Sequence, residues 1–351
     1  MRRINIIATD SKSGLARDVT ILSSILRKAG FSVTFYILGK QTLSHQIQRV
    51  TSKINRCASY TLRNKPPYDI NLFLEYVQPS LFSYARVNCL IPNQEWFRES
   101  WCAHLEEFDY ILCKTPLAQN IFSKLGCKTE FISFTSLDCF NDKYPKDYNS
   151  FIHLASSWQK GTKTIMELWN RHPEWPKLII KQKRNSLWEI SQSNSETTIA
   201  SLREAAPTLA GGIANPHTPN IHYITKYLDD RVLQEYQNSH GIHLCPSEAE
   251  GFGHYIVEAM SCKSLTLTTN APPMNQIINP NRGILVDYHQ TKTQRLGTNY
   301  YVNPSSLEEK INEILGMDYY TKKQLGENAR DWYQDNDRFF RHKLIEVISN
   351  I

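Results

Sequence analysis

The sequence predicts an α/β protein made of two parallel-sheet domains in tandem. Three observations carry that prediction. Short apolar runs alternate with segments of helical period along most of the chain. One polar, turn-rich stretch, 141–147, interrupts the alternation and reads as a linker. The 351 residues suffice for two domains of about 150 each.

Taken in order, residues 4–8 (Ile-Asn-Ile-Ile-Ala) form a short buried strand, followed by a loop with Asp10, Ser11, Ser13 and Gly14. Leu15, Val19, Leu22, Ile25, Leu26 and Ala29 then recur at helical spacing up to Gly30, a natural helix stop. Residues 31–38 make the next strand, which completes a βαβ unit and implies a parallel sheet. Strands follow at 70–74, 88–91, 109–113 and 129–134, with a helix over about 115–125. These elements form a first domain, 1–148. The pattern restarts in a second domain, 149–335, with strands at 151–155, 178–181, 221–225, 241–245, 265–269 and 283–287. Its helices are expected after Gly161, at 230–238, at 253–262, and from a capping box of Ser305 and Glu308 to about 316. Residues 184–220 read as one helix and a long loop. Two last helices are expected at 321–334 and 337–349, the second packing back on the first domain. Open sheets of this kind bind ligands beyond the carboxyl ends of their strands, and two such domains make an interdomain cleft.

Composition narrows the function classes. With 41% apolar and 21% charged residues the chain is neither disordered nor a membrane span. No apolar run approaches the roughly 18–20 residues needed to cross a bilayer. The apolar stretch after Arg2 and Arg3 ends at Asp10, too short for a secretory signal, so a cytoplasmic protein is expected. The eight cysteines form no C-x-x-C pair and fit no zinc spacing, so they read as reduced, mostly buried thiols. The net charge is +6, and residues 1–50 alone hold 8 Lys/Arg against 2 Asp/Glu. That excess, with Arg17, Arg27, Lys28 and Lys40, suits peripheral contact with an anionic membrane face or a phosphorylated acceptor, and equally a solvated helix face. No sustained basic and aromatic surface of the nucleic-acid-binding kind is present.

Residues 247–260 carry the most chemistry: Ser-Glu-Ala-Glu-Gly-Phe-Gly-His-Tyr-Ile-Val-Glu-Ala-Met. The spacing of Glu250 and Glu258 is uninformative alone, because Glu99/Glu107 and Glu196/Glu204 share it. The setting matters. A strand ends, an acidic loop follows, Gly251 and Gly253 permit a tight turn and close ligand approach, and a helix begins. A helix N-terminus near Gly253 suits a diphosphate. Glu250 stands just outside it, placed to accept hydrogen bonds from sugar hydroxyls, and Glu258 on the helix can take a ribose diol through two oxygens.

Here the sequence resembles retaining glycosyltransferases of the GT-B fold, glycosyltransferase family 4, whose architecture is two Rossmann-like domains. The resemblance rests on 247–260, supported by Pro-Pro-Met-Asn-Gln-Ile-Ile at 272–278, Gly-Ile-Leu-Val at 283–286, the loop of Gly14 and the Lys160-Gly161 element. It implies that Glu250 contacts the donor sugar, that Glu258 binds the nucleotide ribose, and that Lys160 neutralises the diphosphate. It further implies that backbone near Gly251, Phe252, Gly253, His254 and Gly14 holds the phosphates, and that Tyr227 and Leu228 flank the base. The chain departs from the family in three places. Ser13-Gly14 replaces a double glycine, Leu154-Ala155-Ser156 stands where an arginine is usual, and residues 92–96 occupy the place of a first-domain histidine. Lys181, Lys183 or Arg184 are candidates for the missing cation. Asn93 and Glu95 are candidates for the acceptor or sugar side. His153, in an apolar strand, reads as a satisfied core histidine, with a cleft position the alternative.

The implied function is retaining transfer of a sugar from a UDP- or GDP-sugar to a glycan, lipid-linked or protein acceptor, in glycan biosynthesis. No cofactor and no metal are expected, since no D-x-D element ends a strand. An inverting alternative would take its general base from an Asp or His in the first domain's strand-end loops, where Asp10 and Asp69 are available. The competing readings are a non-catalytic sugar-nucleotide binder and an epimerase or phosphorylase on the same fold.

Overall fold

The structure, a computed structural model, describes residues 1–9, 14–38, 65–155, 157–182, 213–214 and 219–351. They divide into two compact units. The first holds Met1–Ser136, Gln294–Gly297 and Asn336–Ile351, and the second Leu137–Thr293 and Thr298–Asp335. The turn-rich stretch 141–147 therefore belongs to the second unit, and the boundary falls before it rather than at 148.

The first unit contains β1 (Arg3–Thr9), α1 (Gly14–Lys28), β2 (Ser32–Leu38), β3 (Tyr68–Leu74), β4 (Ala85–Ile91), β5 (Tyr110–Cys113), α2 (Pro116–Lys124) and β6 (Thr129–Phe131). Its strands are all parallel in the order β2-β1-β3-β4-β5-β6. The central strands β1, β3 and β4 are buried along most of their length, whereas the edge strands β2 and β6 are half-exposed, as expected of a sheet covered on both faces. Asn5, Asn71 and Asn88 lie in register across β1, β3 and β4 and hydrogen-bond in series at 3.0 and 2.9 Å. Ile7, Phe73, Leu90, Ile111 and Phe122 lead one face of the core.

The second unit contains β7 (Asp147–Ala155), α3 (Thr162–Arg171), β8 (Leu178–Gln182), β9 (Ile213–Ala214), β10 (Ile221–Ile224), α4 (Asp230–Ser239), β11 (His240–Cys245), α5 (His254–Ser261), β12 (Leu265–Thr269), α6 (Met274–Ile277) and β13 (Ile284–Val286). The sheet order is β13-β12-β11-β7-β8-β10-β9, parallel except for the short β9. A hairpin of β14 (Tyr288–Gln294) and β15 (Gly297–Val302), then α7 (Pro304–Gly316) and α8 (Tyr319–Asn350), complete the chain. Phe151, Trp169, Leu178, Leu244, Leu267 and Ile311 build the main core.

Several expectations need correction. The hairpin was not foreseen, because β14 (Tyr-His-Gln-Thr-Lys-Thr-Gln) is polar on both faces and shows no alternation. The last two helices are one continuous helix. Asn336 and Asp337, which could have broken it by bonding to its backbone, are otherwise engaged. Asn336 accepts from Ser133 Oγ at 2.6 Å and donates to Phe134 O at 2.7 Å, and Asp337 accepts from Thr135 Oγ1 at 2.8 Å. The cap of α7 is Asn303, whose Oδ1 accepts from Ser305 N and Ser306 N, while Glu308 faces His172 and Arg171. Gly14 opens α1 instead of lying in the preceding loop. Asp69 sits at the amino end of β3, bound to Arg3 N at 2.8 Å, away from the strand ends where a general base would stand. Asp10, Lys40, Lys183, Arg184 and nearly all of 184–220 lie outside the described residues.

Candidate active site

In the second sheet the chain adds β8 and β10 on one side of β7, then crosses to place β11 and β12 on the other. The reversal makes the carboxyl ends of β7 and β11 a topological switch point, where such sheets open a ligand crevice. The segments after these two strands carry Lys160 and Glu250.

They are brought together by close backbone packing. After β7 a short 3₁₀ turn, Trp158–Lys160, ends at Gly161, which has φ +67° and opens α3. A Cβ on Gly161 would run into Pro246 O, closer than any real Cβ contact, so glycine is required on two counts. Glu248 N donates to Gln159 O at 2.8 Å and Tyr300 N to Glu248 O at 2.8 Å, which ties the acidic loop to the Lys160 turn and to β15. Thr268 and Thr269 bond the carbonyls of Cys245 and Ser247 at 2.8 and 2.7 Å, fixing the loop to β12.

On this frame Lys160 Nζ donates to Glu250 Oε1, and both side chains are about one-tenth exposed. The same oxygen accepts from Ser247 Oγ at 2.5 Å, and Ser247 Oγ lies 2.5 Å from Tyr255 Oη. Lys160 Nζ also stands 4.1 Å from the centroid of the Tyr255 ring. Ser247 and Tyr255 were not given roles from the sequence. The sequence offers only their position, three residues before and five after Glu250. Gly253 has φ +101° and caps α5, with Phe252 buried and in edge contact with His254. Glu258 is buried on α5 and accepts from Gln237 Nε2 of α4 at 3.3 Å. Leu228 is buried and Tyr227 is 86% exposed in the loop after β10. Lys181 pairs in register with Leu154, at the level where the family's arginine is absent.

His153 is structural. Its Nδ1 lies 2.7 Å from Leu244 O, which can only accept, so Nδ1 donates and Nε2 accepts from Thr162 Oγ1 at 2.8 Å. Complete burial pushes its pKa down to about 4, and the ring pins β7, β11 and the start of α3 beneath Lys160. Desolvation pushes the Glu248 carboxyl up to about 7. Gly14, Asn93 and Glu95 belong to the first unit. Asn93 Nδ2 donates to Glu75 Oε1 at 2.6 Å, and Glu95 is buried. Among the described residues no group of three or more His, Cys, Asp or Glu side chains is arranged to hold a metal ion, and no helix is long and apolar enough to cross a membrane.

Residues 213–332 match the family described as glycosyl transferases group 1. That segment contains the 247–260 motif and the loop of Tyr227 and Leu228. The fold of the chain is GT-B. Sucrose-phosphate synthase from Thermosynechococcus elongatus is 14% identical and superposes with a TM-score of 0.70 over 100% of this chain and 99% of its own. A glycosyltransferase from Rickettsia africae is 14% identical, with a TM-score of 0.69 over 99% and 97%. Anabaena HepE, solved with UDP and glucose and with UDP-glucose, is 14% identical, with a TM-score of 0.67 over the whole of both chains. No curated protein sequence matches the chain.

Proposed function

We propose that the protein is a retaining glycosyltransferase that takes a nucleoside-diphosphate sugar, UDP- or GDP-linked, and passes the sugar to a hydroxyl acceptor without a metal. The observation that carries this reading is the ion pair of Lys160 and Glu250, set beside the N-terminus of α5 at the switch point of the second sheet. Backbone amides after Gly253 receive the diphosphate, and Lys160 balances its charge as it leaves. Lys181 supplies the second cation. Glu258 takes the ribose diol, Tyr227 and Leu228 flank the base, and Glu250 receives a sugar hydroxyl while Ser247 and Tyr255 hold its carboxylate in place.

In the step itself the bond from the anomeric carbon to the diphosphate oxygen breaks, and the acceptor oxygen bonds to that carbon on the same face. The acceptor proton passes to the departing phosphate oxygen, so no protein base is needed. HepE, with its bound UDP-glucose, makes UDP-glucose the first donor to try. The test is a hydrolysis and transfer screen over UDP-, GDP-, ADP- and TDP-sugars, with NMR of the first-formed product. An α product from an α-linked donor is expected. A β anomer overturns retention, and binding without hydrolysis or transfer of any donor favours a sugar-nucleotide binder instead.

A further inference from the structure

The first sheet has its own switch point. β1 is followed by β2 on one side and by β3 on the other, so the crevice there opens at the carboxyl ends of β1 and β3. Glu75 immediately follows β3, Asn93 lies just beyond β4, Lys114 immediately follows β5, and Asp18 is on α1. These four side chains form one network. Lys114 Nζ donates to Asp18 Oδ2 at 2.7 Å and to Glu75 Oε1 at 3.1 Å, and Asn93 Nδ2 donates to Glu75 Oε1 at 2.6 Å.

Three features of the network are unexplained by stability. The side chains of Lys114 and Asp18 are 2% exposed, and a buried ion pair of this kind is often no more stabilising than apolar residues of the same volume. Glu75 holds φ +57°, a strained conformation for a residue with a Cβ, and strain of this kind gathers at functional sites. Most telling is Asn93. The Glu75 carboxylate can only accept, so it fixes the Asn93 amide with Nδ2 toward itself and turns Oδ1 away. That Oδ1 is buried and, among the described residues, has no hydrogen-bond partner. Buried acceptors of native proteins are nearly always satisfied, so this one is aimed at a donor that none of the described residues supplies.

The loop bearing Asn93 is also held rigidly. Gln294 Nε2 donates to Glu95 O at 3.0 Å, Arg295 donates to Trp96 O and lies over the Trp96 ring, and Gly297 packs against the Glu95 backbone so closely that a Cβ would stand 2.9 Å from Glu95 Cα. A site that binds by direction, not by adjustment, needs such support.

We infer that Asn93 Oδ1, oriented by Glu75, is a binding site for a hydroxyl of a neutral glycoside, which makes it the acceptor-recognising group of the first unit. The choice of a glycoside as the ligand rests on the glycosyltransferase reading; the oriented, unsatisfied Oδ1 does not. A hydroxyl completes the acceptor-only face of the amide oxygen and leaves its own lone pairs exposed for further contacts. Glu75 acts through Asn93 and is a positioning residue.

The experiment uses saturation-transfer NMR on the full chain, with octyl α-glucoside, α-galactoside and α-mannoside as probes, in the presence and absence of UDP and GDP. The wild-type chain should bind at least one of these glycosides, and Asn93→Ala should weaken that binding tenfold or more. Glu75→Gln, which frees the amide to rotate, should weaken it less, while Asn93→Ser, which keeps a short acceptor, should restore part of it. Thermal melting checks that each variant folds. Binding of none of the glycosides by the wild-type chain, or equal binding by folded Asn93→Ala, overturns the inference. Glycoside binding lost in Asn93→Ala, in a wild-type chain that binds no nucleotide, supports the subsite and sinks the transferase reading instead.

Discussion

Replacing Gly161 by alanine tests the packing that unites the two halves of the proposed donor site. The substitution acts in two ways. A Cβ at φ +67° costs about 1–2 kcal/mol, the usual penalty for a left-handed residue. The same Cβ would meet Pro246 O and stand 3.0 Å from Pro246 Cγ, so the turn after β11 must retreat by roughly half an ångström or more, an overpacking strain of about 1–3 kcal/mol. The two terms sum to roughly 2–5 kcal/mol of lost stability, read from urea denaturation. Gly30→Ala provides the comparison, since Gly30 has φ +87° with nothing within 4 Å of a built Cβ, and should lose only the conformational term. Function should suffer beyond stability. The retreating turn carries Ser247 and Glu250 away from Lys160, and displacements near 1 Å in a catalytic constellation cost about a hundredfold in rate. Donor hydrolysis by the folded Gly161→Ala variant should therefore fall by tens- to a hundredfold. Stability within 0.5 kcal/mol of Gly30→Ala (a threshold of about the usual scatter of surface changes), together with unchanged hydrolysis, would refute the argument that close backbone approach assembles the site.

Three further outcomes are expected. Glu258→Ala should weaken nucleoside-diphosphate binding by roughly 1.5–3 kcal/mol by calorimetry, the scale of a charged hydrogen bond, whereas Glu250→Ala should lower turnover with little effect on that affinity; equal losses of nucleotide affinity would contradict the division of labour. Activity should survive excess EDTA, and loss with EDTA followed by rescue with Mn²⁺ would overturn the proposal that the site works without a metal. Stability should depend on pH through His153, whose pKa is about 4 in the fold against about 6.5 unfolded, so the unfolded chain binds more protons between those values and stability falls as pH drops through the window, by roughly 3 kcal/mol. His243, lowered to about 3, acts in the same direction, while Glu248, raised from 4.5 to about 7, opposes it by favouring the fold below pH 7. Urea midpoints at pH 4.5 and 6.5 should differ less in His153→Gln and more in Glu248→Gln than in the wild-type chain.

The architecture was legible because its strands are local signals. Central strands of a parallel sheet are apolar runs, and 4–8, 70–74, 151–155, 241–245 and 265–269 all proved to lie in strands of the two sheets. The motif around Glu250 and Glu258 was legible for a related reason: a strand end, two glycines and a helix start are adjacent in the chain, and their backbone demands are written in the residues themselves. Elements lacking such signals were missed. β14 has no apolar period, and the spacing of Ser305 and Glu308 imitates a capping box although Asn303, two residues earlier, holds the cap of α7.

What the sequence by itself determined was thus the order of strands and helices and the glycine-bounded turn after β11. Only the tertiary structure decided which side chains meet. Lys160 and Glu250 are separated by 90 positions, and nothing local in either segment says that Gly161 must lie against Pro246. Asp18, Lys114, Glu75 and Asn93 come from four separate segments, and nothing local in any of them says that the four side chains meet. Their pairing depends on the order in which strands enter the sheet, which sets neighbours across β1, β3, β4 and β5. The physical reason is the range of the interactions. Backbone preference and hydrophobic period act over a few residues, so one sequence displays them. Ion pairs and buried hydrogen bonds act over a few ångströms of space, and chain folding alone converts sequence distance into that proximity.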